Sequence, residues 1–153
     1  MALEVGQPAP EFSLSDSDGH SHSLADYRGR YVVLYFYPRD DTPGCTKQAC
    51  SFRDNLPHFS NLNAVVLGVS TDGVESHRRF AEKYGLPFTL LADESHAVNE
   101  AYGVWKERSM AGKTFMGTER TTFLIDPEGH IARIWEKANA EQNPTEVLAA
   151  LGG

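Results

Sequence analysis

The chain contains the stretch Tyr31-Val32-Val33-Leu34-Tyr35-Phe36-Tyr37, an unbroken run of apolar and β-favouring residues. A run without alternating polar residues is typical of a central strand that is buried on both faces of a sheet. It is followed at once by Pro38-Arg39-Asp40-Asp41-Thr42-Pro43-Gly44-Cys45, after which apolar residues recur at helical spacing from Thr46 to about Phe59. The sequence therefore predicts a buried strand, a short loop and a helix with a cysteine at its start.

Strand and helix patterns continue to alternate along the chain. Further strands are predicted over 64–70, 88–91, 121–125 and 130–135. Helices are predicted over 74–84, 95–101 and 144–151, and the last has Asn143 as its cap, Pro144 in its first turn and Glu146 three residues after the cap. The turn sequence Asp126-Pro127-Glu128-Gly129 predicts that the last two strands form a hairpin.

Together these elements predict an α/β, thioredoxin-like fold with a mixed central sheet and helices on both faces. Two short segments, Phe12-Ser13-Leu14 and His22-Ser23-Leu24, flank Asp18-Gly19 and predict an additional N-terminal hairpin. Residues 107–119 have no clean period and are interpreted as a mobile loop, either a plain surface connection or a segment that faces the substrate. Because no repeat or linker is evident, residues 1–153 are expected to form a single domain.

Composition excludes several classes of function. The net charge of −7 argues against nucleic acid as a partner, since a broad nucleic-acid interface needs a basic face. No stretch approaches the roughly 20 apolar residues of a membrane-spanning helix, so no membrane association is expected. Met1-Ala2-Leu3-Glu4 has neither the basic nor the apolar part of a secretory signal, and a cytoplasmic location is expected.

Metal and carboxylate chemistry are also disfavoured. The six histidines are scattered without the spacing of a zinc site, so no metal is expected. Asp40 and Asp41 are adjacent, and adjacent side chains diverge, so these two carboxylates are interpreted as part of a solvated loop rather than an acid–base pair.

The two cysteines are the main candidates for chemistry. Two are too few for a disulfide scaffold, and in a reducing compartment a nearby pair is more often catalytic, redox-sensing or metal-binding. With Thr42 as a cap and Pro43 at the first helical position, Cys45 lies in the first turn, near unpaired N–H groups and the positive end of the helix dipole. This location favours the nucleophilic thiolate, which makes up only about 3% of a thiol with an ordinary pKa at pH 7.

Cys50 follows Cys45 by five residues. In an intact helix this spacing separates the Cα atoms by about 8.7 Å, whereas a disulfide tolerates at most about 7 Å. A bond between the two cysteines therefore requires the first turns of the helix to unwind, which Gly44, a weak helix former, should assist.

The segment Tyr35-Phe36-Tyr37-Pro38-Arg39-Asp40-Asp41-Thr42-Pro43-Gly44-Cys45-Thr46 resembles the Pro-x-x-x-Thr-x-x-Cys motif of peroxiredoxins. The spacing of Cys45 and Cys50 is similar to that of the bacterioferritin comigratory protein, or Q-type, subfamily. The likeness extends over nearly the whole chain, from the segment 5–12 near the start to the segment 117–126 near the end.

This resemblance implies a catalytic role for five residues. Cys45 would attack the peroxide and become a sulfenic acid, and Cys50 would resolve it as a disulfide within one chain. Thr42 would hydrogen-bond the peroxide and the thiolate, Pro38 would shield the sulfur from water, and Arg120 would lie beside the thiolate. Because the departing oxygen must also be stabilised, the Thr42 hydroxyl, the Cys45 N–H and a guanidinium are the expected donors.

The resemblance also implies the reaction partners. Substrates would be hydrogen peroxide and organic hydroperoxides, the reductant would be a thioredoxin- or glutaredoxin-type dithiol, and no metal or organic cofactor would take part. A monomer is expected because the disulfide can close inside one chain.

Other interpretations of the same residues remain open at this stage. Cys45 and Cys50 are also compatible with ordinary buried thiols, Arg120 with a surface charge, and Thr42 and Pro38 with plain cap and turn residues. A thiol–disulfide oxidoreductase, a peroxide-sensing redox switch and a holdase-type interaction protein are alternative functions, although the first would be expected to contain Cys-x-x-Cys, which is absent.

Overall fold

The computed structural model describes residues 3–152. Met1 and Ala2, half of the stretch considered as a secretory signal, and the terminal Gly153 lie outside the described residues. The strands are β1 (Ser13–Ser15), β2 (Ser21–Ser23), β3 (Tyr31–Phe36), β4 (Ala64–Ser70), β5 (Thr89–Ala92), β6 (Trp105–Met110), β7 (Lys113–Thr118), β8 (Thr121–Ile125) and β9 (Ile131–Trp135). The α-helices are α1 (Pro43–Asn61), α2 (Val74–Tyr84), α3 (Ala97–Ala101) and α4 (Asn143–Ala150), and a 3-10 helix covers Leu24–Tyr27.

Seven of these strands form one mixed sheet in the order β2-β1-β5-β4-β3-β8-β9. Strands β3, β4 and β5 are parallel, whereas β8 runs antiparallel to β3 and β9 antiparallel to β8. The strand–helix–strand units and the hairpin of β8 and β9 are confirmed, and so is the N-terminal hairpin, with Leu14 opposite His22. The carboxyl end of β3 therefore lies in the middle of the sheet, where it leads into the loop that carries Cys45.

The side chains of β3 alternate between two apolar clusters, one on each face of the sheet. Val33, Tyr35 and Tyr37 pack on the face covered by α1, α2 and α4. Val32, Leu34 and Phe36 pack on the opposite face, which is covered by α3 and the 3-10 helix. This double burial is the physical reason for the continuous apolar run in the sequence.

The segment 107–119 was predicted as a mobile loop, and that prediction is wrong. Residues 105–118 form a separate two-stranded hairpin of β6 and β7, which turns at Ala111 and Gly112, both with positive φ. Most of its side chains are exposed on both faces, including Met110, Phe115 and Met116. Without a buried face the hairpin has no alternation of apolar and polar residues, which explains why its pattern was missed.

The start of the last helix also differs from the prediction. Asn143 was predicted to be the cap, but the cap is Gln142 and Asn143 is the first helical residue. Its side chain is buried, and the local turn is instead stabilised by Asn139, whose side chain accepts hydrogen bonds from the backbone N–H groups of Glu141 and Gln142. Among the described residues, no helix combines the length and apolar character needed to cross a membrane.

Candidate active site

The first turn of α1 carries Cys45 as its third residue. Thr42 has extended φ and ψ and acts as the cap, and Pro43 occupies the first helical position, as predicted. The Thr42 side chain, however, makes no capping hydrogen bond. Its hydroxyl donates to the Arg39 carbonyl oxygen at 2.9 Å. The second and third N–H groups of a helix have no intrahelical partner. Those of Gly44 and Cys45 are therefore left for a bound oxygen atom.

A guanidinium group lies directly beside the Cys45 sulfur. Arg120, between β7 and β8, donates from Nη2 to Cys45 Sγ at 3.2 Å. Its Nη1 donates to Gln48 Oε1 at 2.5 Å, and Gln48 lies one turn after Cys45 on the same helix. The guanidinium thus bridges the Cys45 sulfur and the next turn of α1 through two of its N–H groups, and its positive charge strengthens both hydrogen bonds.

The polar contacts of Arg120 continue into the core. Gln48 Nε2 donates to Asn143 Oδ1 at 3.1 Å, and the Thr122 hydroxyl donates to the same oxygen at 2.7 Å. Gln48, Thr122 and Asn143 are all fully buried. A chain of hydrogen bonds therefore leads from the Cys45 sulfur through Arg120 and Gln48 to the start of α4.

Gly44 makes room for this guanidinium. A Cβ atom at residue 44 would lie 3.2 Å from Arg120 Nη2 and 3.8 Å from the Ala140 Cβ. The sequence indicated Gly44 as a weak point of the helix. The structure adds that a larger residue here would press on Arg120.

Asp40 and Asp41 do not form a solvated loop, and the prediction is wrong for Asp40. Asp41 is exposed and accepts hydrogen bonds from Lys83 Nζ and Tyr84 Oη, and the bond from Lys83 lowers the pKa of its carboxyl. Asp40 is buried and accepts hydrogen bonds from Tyr37, Ser76 and His77. The two side chains diverge, as expected, but one of them turns into the protein.

The buried tyrosines near the site stay protonated. Burial raises the pKa of Tyr35 well above its ordinary value, and the nearby Cys45 raises it further. Burial likewise raises the pKa of Tyr37, with a further contribution from Asp40. These hydroxyls therefore act as neutral groups at any physiological pH.

Cys45 and Cys50 are both free thiols in one uninterrupted helix. Cys45 is 2% exposed and Cys50 is half-buried. The helix is intact between them, so the separation of about 8.7 Å given by helix geometry applies. This is the reduced arrangement that the sequence predicts before any unwinding.

A cleft of about 460 Å³ opens on the far side of Arg120. Its charged side chains are four basic and two acidic residues: Lys106, Arg108, Arg120, Lys137, Glu107 and Glu119. A second cavity, of about 490 Å³, lies against the apolar cluster on the other face of the sheet and is lined by Tyr102, Val104 and Phe123, with no cysteine. The cleft is not lined by a cysteine either, but it shares Arg120 with the contact to the Cys45 sulfur.

Four of the five predicted site residues fall around the start of α1, and Arg120 reaches them from the β7–β8 connection. The hydrogen bonds join Cys45 to Arg120, whereas the Thr42 hydroxyl is bonded to Arg39, Pro38 is half-buried, and Cys50 lies beyond Gln48 along the helix. Sequence reasoning missed Gln48, Asn143 and Asp40. The spacing of Gln48 from Cys45, about one helical turn, was the available signal for the first of these.

Comparison with known proteins agrees with this geometry. The AhpC/TSA family matches residues 5–134 of the chain. Peroxiredoxin Bcp of Bacillus subtilis is 48% identical over 151 residues, which cover 99% of this chain and 96% of the relative.

Two solved structures share the fold. The bacterioferritin comigratory protein of Xanthomonas campestris, described for its alkyl peroxide reduction activity, superposes with a TM-score of 0.88 at 42% identity and covers 92% of this chain and 90% of that one. A cysteine-to-serine mutant of PrxQ from Xylella fastidiosa gives a TM-score of 0.94 at 36% identity, over 99% and 97% of the two chains. The predicted thioredoxin-like fold is thereby confirmed. The chain belongs to the AhpC/TSA family and, within it, to the Bcp peroxiredoxins, and it is a thiol peroxidase.

Proposed function

We propose that Cys45 is the peroxide-reacting residue, and the contact between its sulfur and Arg120 carries this assignment. The sulfur attacks one peroxide oxygen, the O–O bond breaks, and the other oxygen leaves as hydroxide or alkoxide and takes a proton. Cys45 is thereby oxidised to a sulfenic acid and the peroxide is reduced to water or an alcohol. We propose hydrogen peroxide and alkyl hydroperoxides as substrates, since the related Xanthomonas campestris protein is described for its alkyl peroxide reduction activity.

The side chains of Arg120, Thr42 and Pro38 support this step, together with backbone N–H groups of the first turn of α1. Arg120 neutralises the thiolate and stabilises the departing oxygen, for which the free N–H groups of Gly44 and Cys45 provide further donors. The Thr42 hydroxyl donates to the Arg39 carbonyl, so its lone pairs remain available to accept a hydrogen bond from the O–H of the peroxide. The half-buried Pro38 limits the access of water to the sulfur.

Cys50 completes the proposed cycle. Its thiol condenses with the Cys45 sulfenic acid, which forms an S–S bond and releases water. This requires local unwinding of α1, because the helix holds the two cysteines apart. An external dithiol of the thioredoxin or glutaredoxin type then reduces the disulfide and is itself oxidised.

The proposed setting follows from this cycle. Recycling needs a supply of dithiol, which favours a reducing compartment such as the cytoplasm. The disulfide closes inside one chain, which supports a monomeric enzyme that functions as a single domain.

The test is consumption of peroxide in the presence of thioredoxin and its reductase. The wild type should turn over, Cys45→Ser should not, and Cys50→Ser should react once and then stall. Turnover by Cys45→Ser at the wild-type rate would contradict the assignment of the nucleophile. Turnover by Cys50→Ser at that rate would contradict the resolving step alone.

The same assay separates the alternative functions. Reduction of a mixed disulfide without any reaction with peroxide would indicate a thiol–disulfide oxidoreductase. A slow, stoichiometric reaction without recycling would indicate a sensor. Both outcomes would contradict the proposed peroxidase cycle.

A further inference from the structure

A buried network of hydrogen bonds lies behind the loop that leads to Cys45. This loop comprises residues 38–42 and is called here the active-site loop. His77, in the first half of α2, is fully buried, and its Nδ1 lies 2.7 Å from Asp40 Oδ2. Its Nε2 lies 2.9 Å from the carbonyl oxygen of Leu91 on β5. The proposed peroxidase cycle makes no use of this histidine.

The two groups nearest the ring nitrogens, Asp40 Oδ2 and the Leu91 carbonyl oxygen, are hydrogen-bond acceptors. The Tyr37 hydroxyl lies farther from Nδ1, at 3.5 Å, and donates to Asp40. A neutral imidazole has one donor nitrogen, so only the doubly protonated ring donates to the carboxylate and to the carbonyl at once. Asp40 accepts two further hydrogen bonds, from Tyr37 Oη at 2.5 Å and from Ser76 Oγ at 2.8 Å. Three donors around one buried carboxylate fit its ionised form, which accepts only.

The backbone of Asp40 is fixed as firmly as its side chain. Its N–H donates to Asp72 Oδ2 at 2.8 Å, and the same oxygen accepts the Ser70 hydroxyl at 2.7 Å. Asp40 is thus held by Tyr37 directly after β3, by Asp72 between β4 and α2, and by Ser76 and His77 on α2. Thr42 follows two residues later, and its hydroxyl donates to Arg39, the residue before Asp40. Displacement of Asp40 would therefore move both the cap of α1 and the donor–acceptor pair that orients the Thr42 hydroxyl.

We propose that His77 is a positioning residue for the peroxidase reaction, which rests on the function proposed above. Its Nδ1–H holds Asp40, and through Asp40 it keeps the active-site loop and the first turn of α1 in the geometry that receives the peroxide. The Nε2–H bond to Leu91 anchors the ring to the sheet and does not reach the loop.

Two substitutions separate the two ring nitrogens. The amide nitrogen of asparagine replaces Nδ1, so His77→Asn retains a donor toward Asp40 and loses the one toward Leu91. The amide nitrogen of glutamine replaces Nε2, so His77→Gln retains the donor toward Leu91 and loses the one toward Asp40. His58→Gln, an exposed histidine in the last turn of α1, is the matched control.

The readouts are the second-order rate constants of reduced Cys45 with hydrogen peroxide and with iodoacetamide. Alkylation needs the thiolate but not the peroxide-binding loop, so it should change by less than about threefold in every variant. The peroxide rate of His77→Gln should fall about 10- to 100-fold, the loss expected when reacting groups are misplaced. His77→Asn should retain most of the wild-type peroxide rate, and His58→Gln should equal it.

The midpoint of urea unfolding is measured for each variant alongside the rates. Equal loss of peroxide rate in His77→Asn and His77→Gln, or no loss in either, would overturn the positioning role. If neither variant folds, Ser76→Ala decides, since it removes one donor to Asp40 and should lower the peroxide rate in the same direction. An unchanged rate in Ser76→Ala would then overturn the proposal. Failure of the wild type to consume peroxide would instead contradict the proposed function itself.

Discussion

The Cys45 sulfur has neighbours of two kinds. It belongs to an apolar cluster with Tyr35 and Phe52, and it accepts a hydrogen bond from Arg120. A thiolate in apolar surroundings is costly unless a charged donor faces it. Arg120 provides that donor and is held in turn by Gln48, so its orientation does not depend on the substrate.

Replacement of Arg120 by lysine should therefore impair the reaction although the charge remains. An ammonium group is a compact point charge and does not span Cys45 and Gln48 as the planar fork does. The second-order rate constant with hydrogen peroxide should fall about 100-fold, comparable to the loss of one oxyanion donor in other enzymes. Stopped-flow measurement should show this loss, whereas Arg133→Lys, an exposed control on β9, should react as the wild type does.

Asn143 links this site to the stability of the fold. Asn143→Ala removes the acceptor of two buried donors, Gln48 Nε2 and the Thr122 hydroxyl. Each buried donor left without a partner costs about 1–3 kcal/mol, so unfolding in urea should show a loss of roughly 2–6 kcal/mol for the two. A loss below about 0.5 kcal/mol would show that these donors find other partners, since changes of that size are typical of surface sites.

At the scale of single residues, some members of the candidate site could be predicted from the sequence and others could not. Cys45 and Thr42 follow from the strand, the proline and the helix start, which are all local signals. Arg120 is 75 residues from Cys45 along the chain, and only the family resemblance indicated it. The inward turn of Asp40 depends on His77 and Ser76, and no local pattern distinguishes it from its outward neighbour Asp41.

Helix α1 both places Cys45 and separates it from Cys50. Its apolar face, which includes Phe52 and Phe59, packs against Tyr35. Its first turns contain Gly44 and are held by the contact between Gln48 and Arg120. Pro57 near the other end lacks an N–H and removes one helical hydrogen bond, yet the helix continues to Asn61. The first turns, which contain Gly44, are therefore the part of α1 that is expected to unwind most easily.

Oxidation should unwind these first turns. After one equivalent of peroxide, backbone amides of residues 44–50 should exchange with deuterium faster than in the reduced protein, because the disulfide requires those turns to unwind. Amides in the middle turn of α2 should keep their protection from exchange. Hydrogen exchange followed by mass spectrometry measures this, and Cys50→Ser should show no increase. Unchanged exchange in the oxidised wild type would contradict unwinding.

The packing of β3 on β4 leaves no space at Gly68. A Cβ atom there would lie 2.8 Å from Tyr35 Cζ and 2.9 Å from Leu90 Cδ2. The Tyr35 ring is stacked on Phe52 with centroids 4.6 Å apart, so it has little freedom to move away. Gly68→Ala should cost about 1–3 kcal/mol of unfolding free energy in urea, as overpacking does elsewhere.

Periodicity predicted the elements that have one buried face or two. The bounds of α2, β4 and β8 agree with the prediction because each has a complete apolar pattern. Hairpin β6–β7 was not predicted, because its residues are exposed on both faces. Its turn is Ala-Gly, not the Asn-Gly or Asp-Gly that signals such turns. The predicted cap of α4 was wrong by one residue. Asparagine is a common cap residue, but the side chain of Asn143 accepts hydrogen bonds from Gln48 and Thr122 instead.

At the scale of the whole molecule, charge is unevenly distributed. The chain has a net charge of −7, yet the cleft beside Arg120 contains four basic and two acidic side chains. A basic cleft in an acidic protein concentrates negative potential elsewhere on the surface. The basic side chains around Arg120 therefore contrast in charge with the rest of the chain.

The proposed cycle makes a prediction for the intact chain. Treatment of the reduced protein with one equivalent of peroxide should lower its mass by two hydrogens, with no crosslinked dimer on a non-reducing gel. The Cys50→Ser variant should instead keep both sulfurs unlinked. A crosslinked dimer as the main product of the wild type would contradict closure within one chain.

The exposed hairpin β6–β7 affects the interpretation of mass changes after oxidation. Met110 and Met116 are 70% and 50% exposed. Two thioethers therefore face the solvent on a protein whose substrates are oxidants. Excess peroxide should convert them to sulfoxides, each of which adds the same oxygen mass as a sulfenic acid on Cys45. Peptide mapping, and recovery by methionine sulfoxide reductase, would assign each added oxygen to a thioether or to the reactive sulfur.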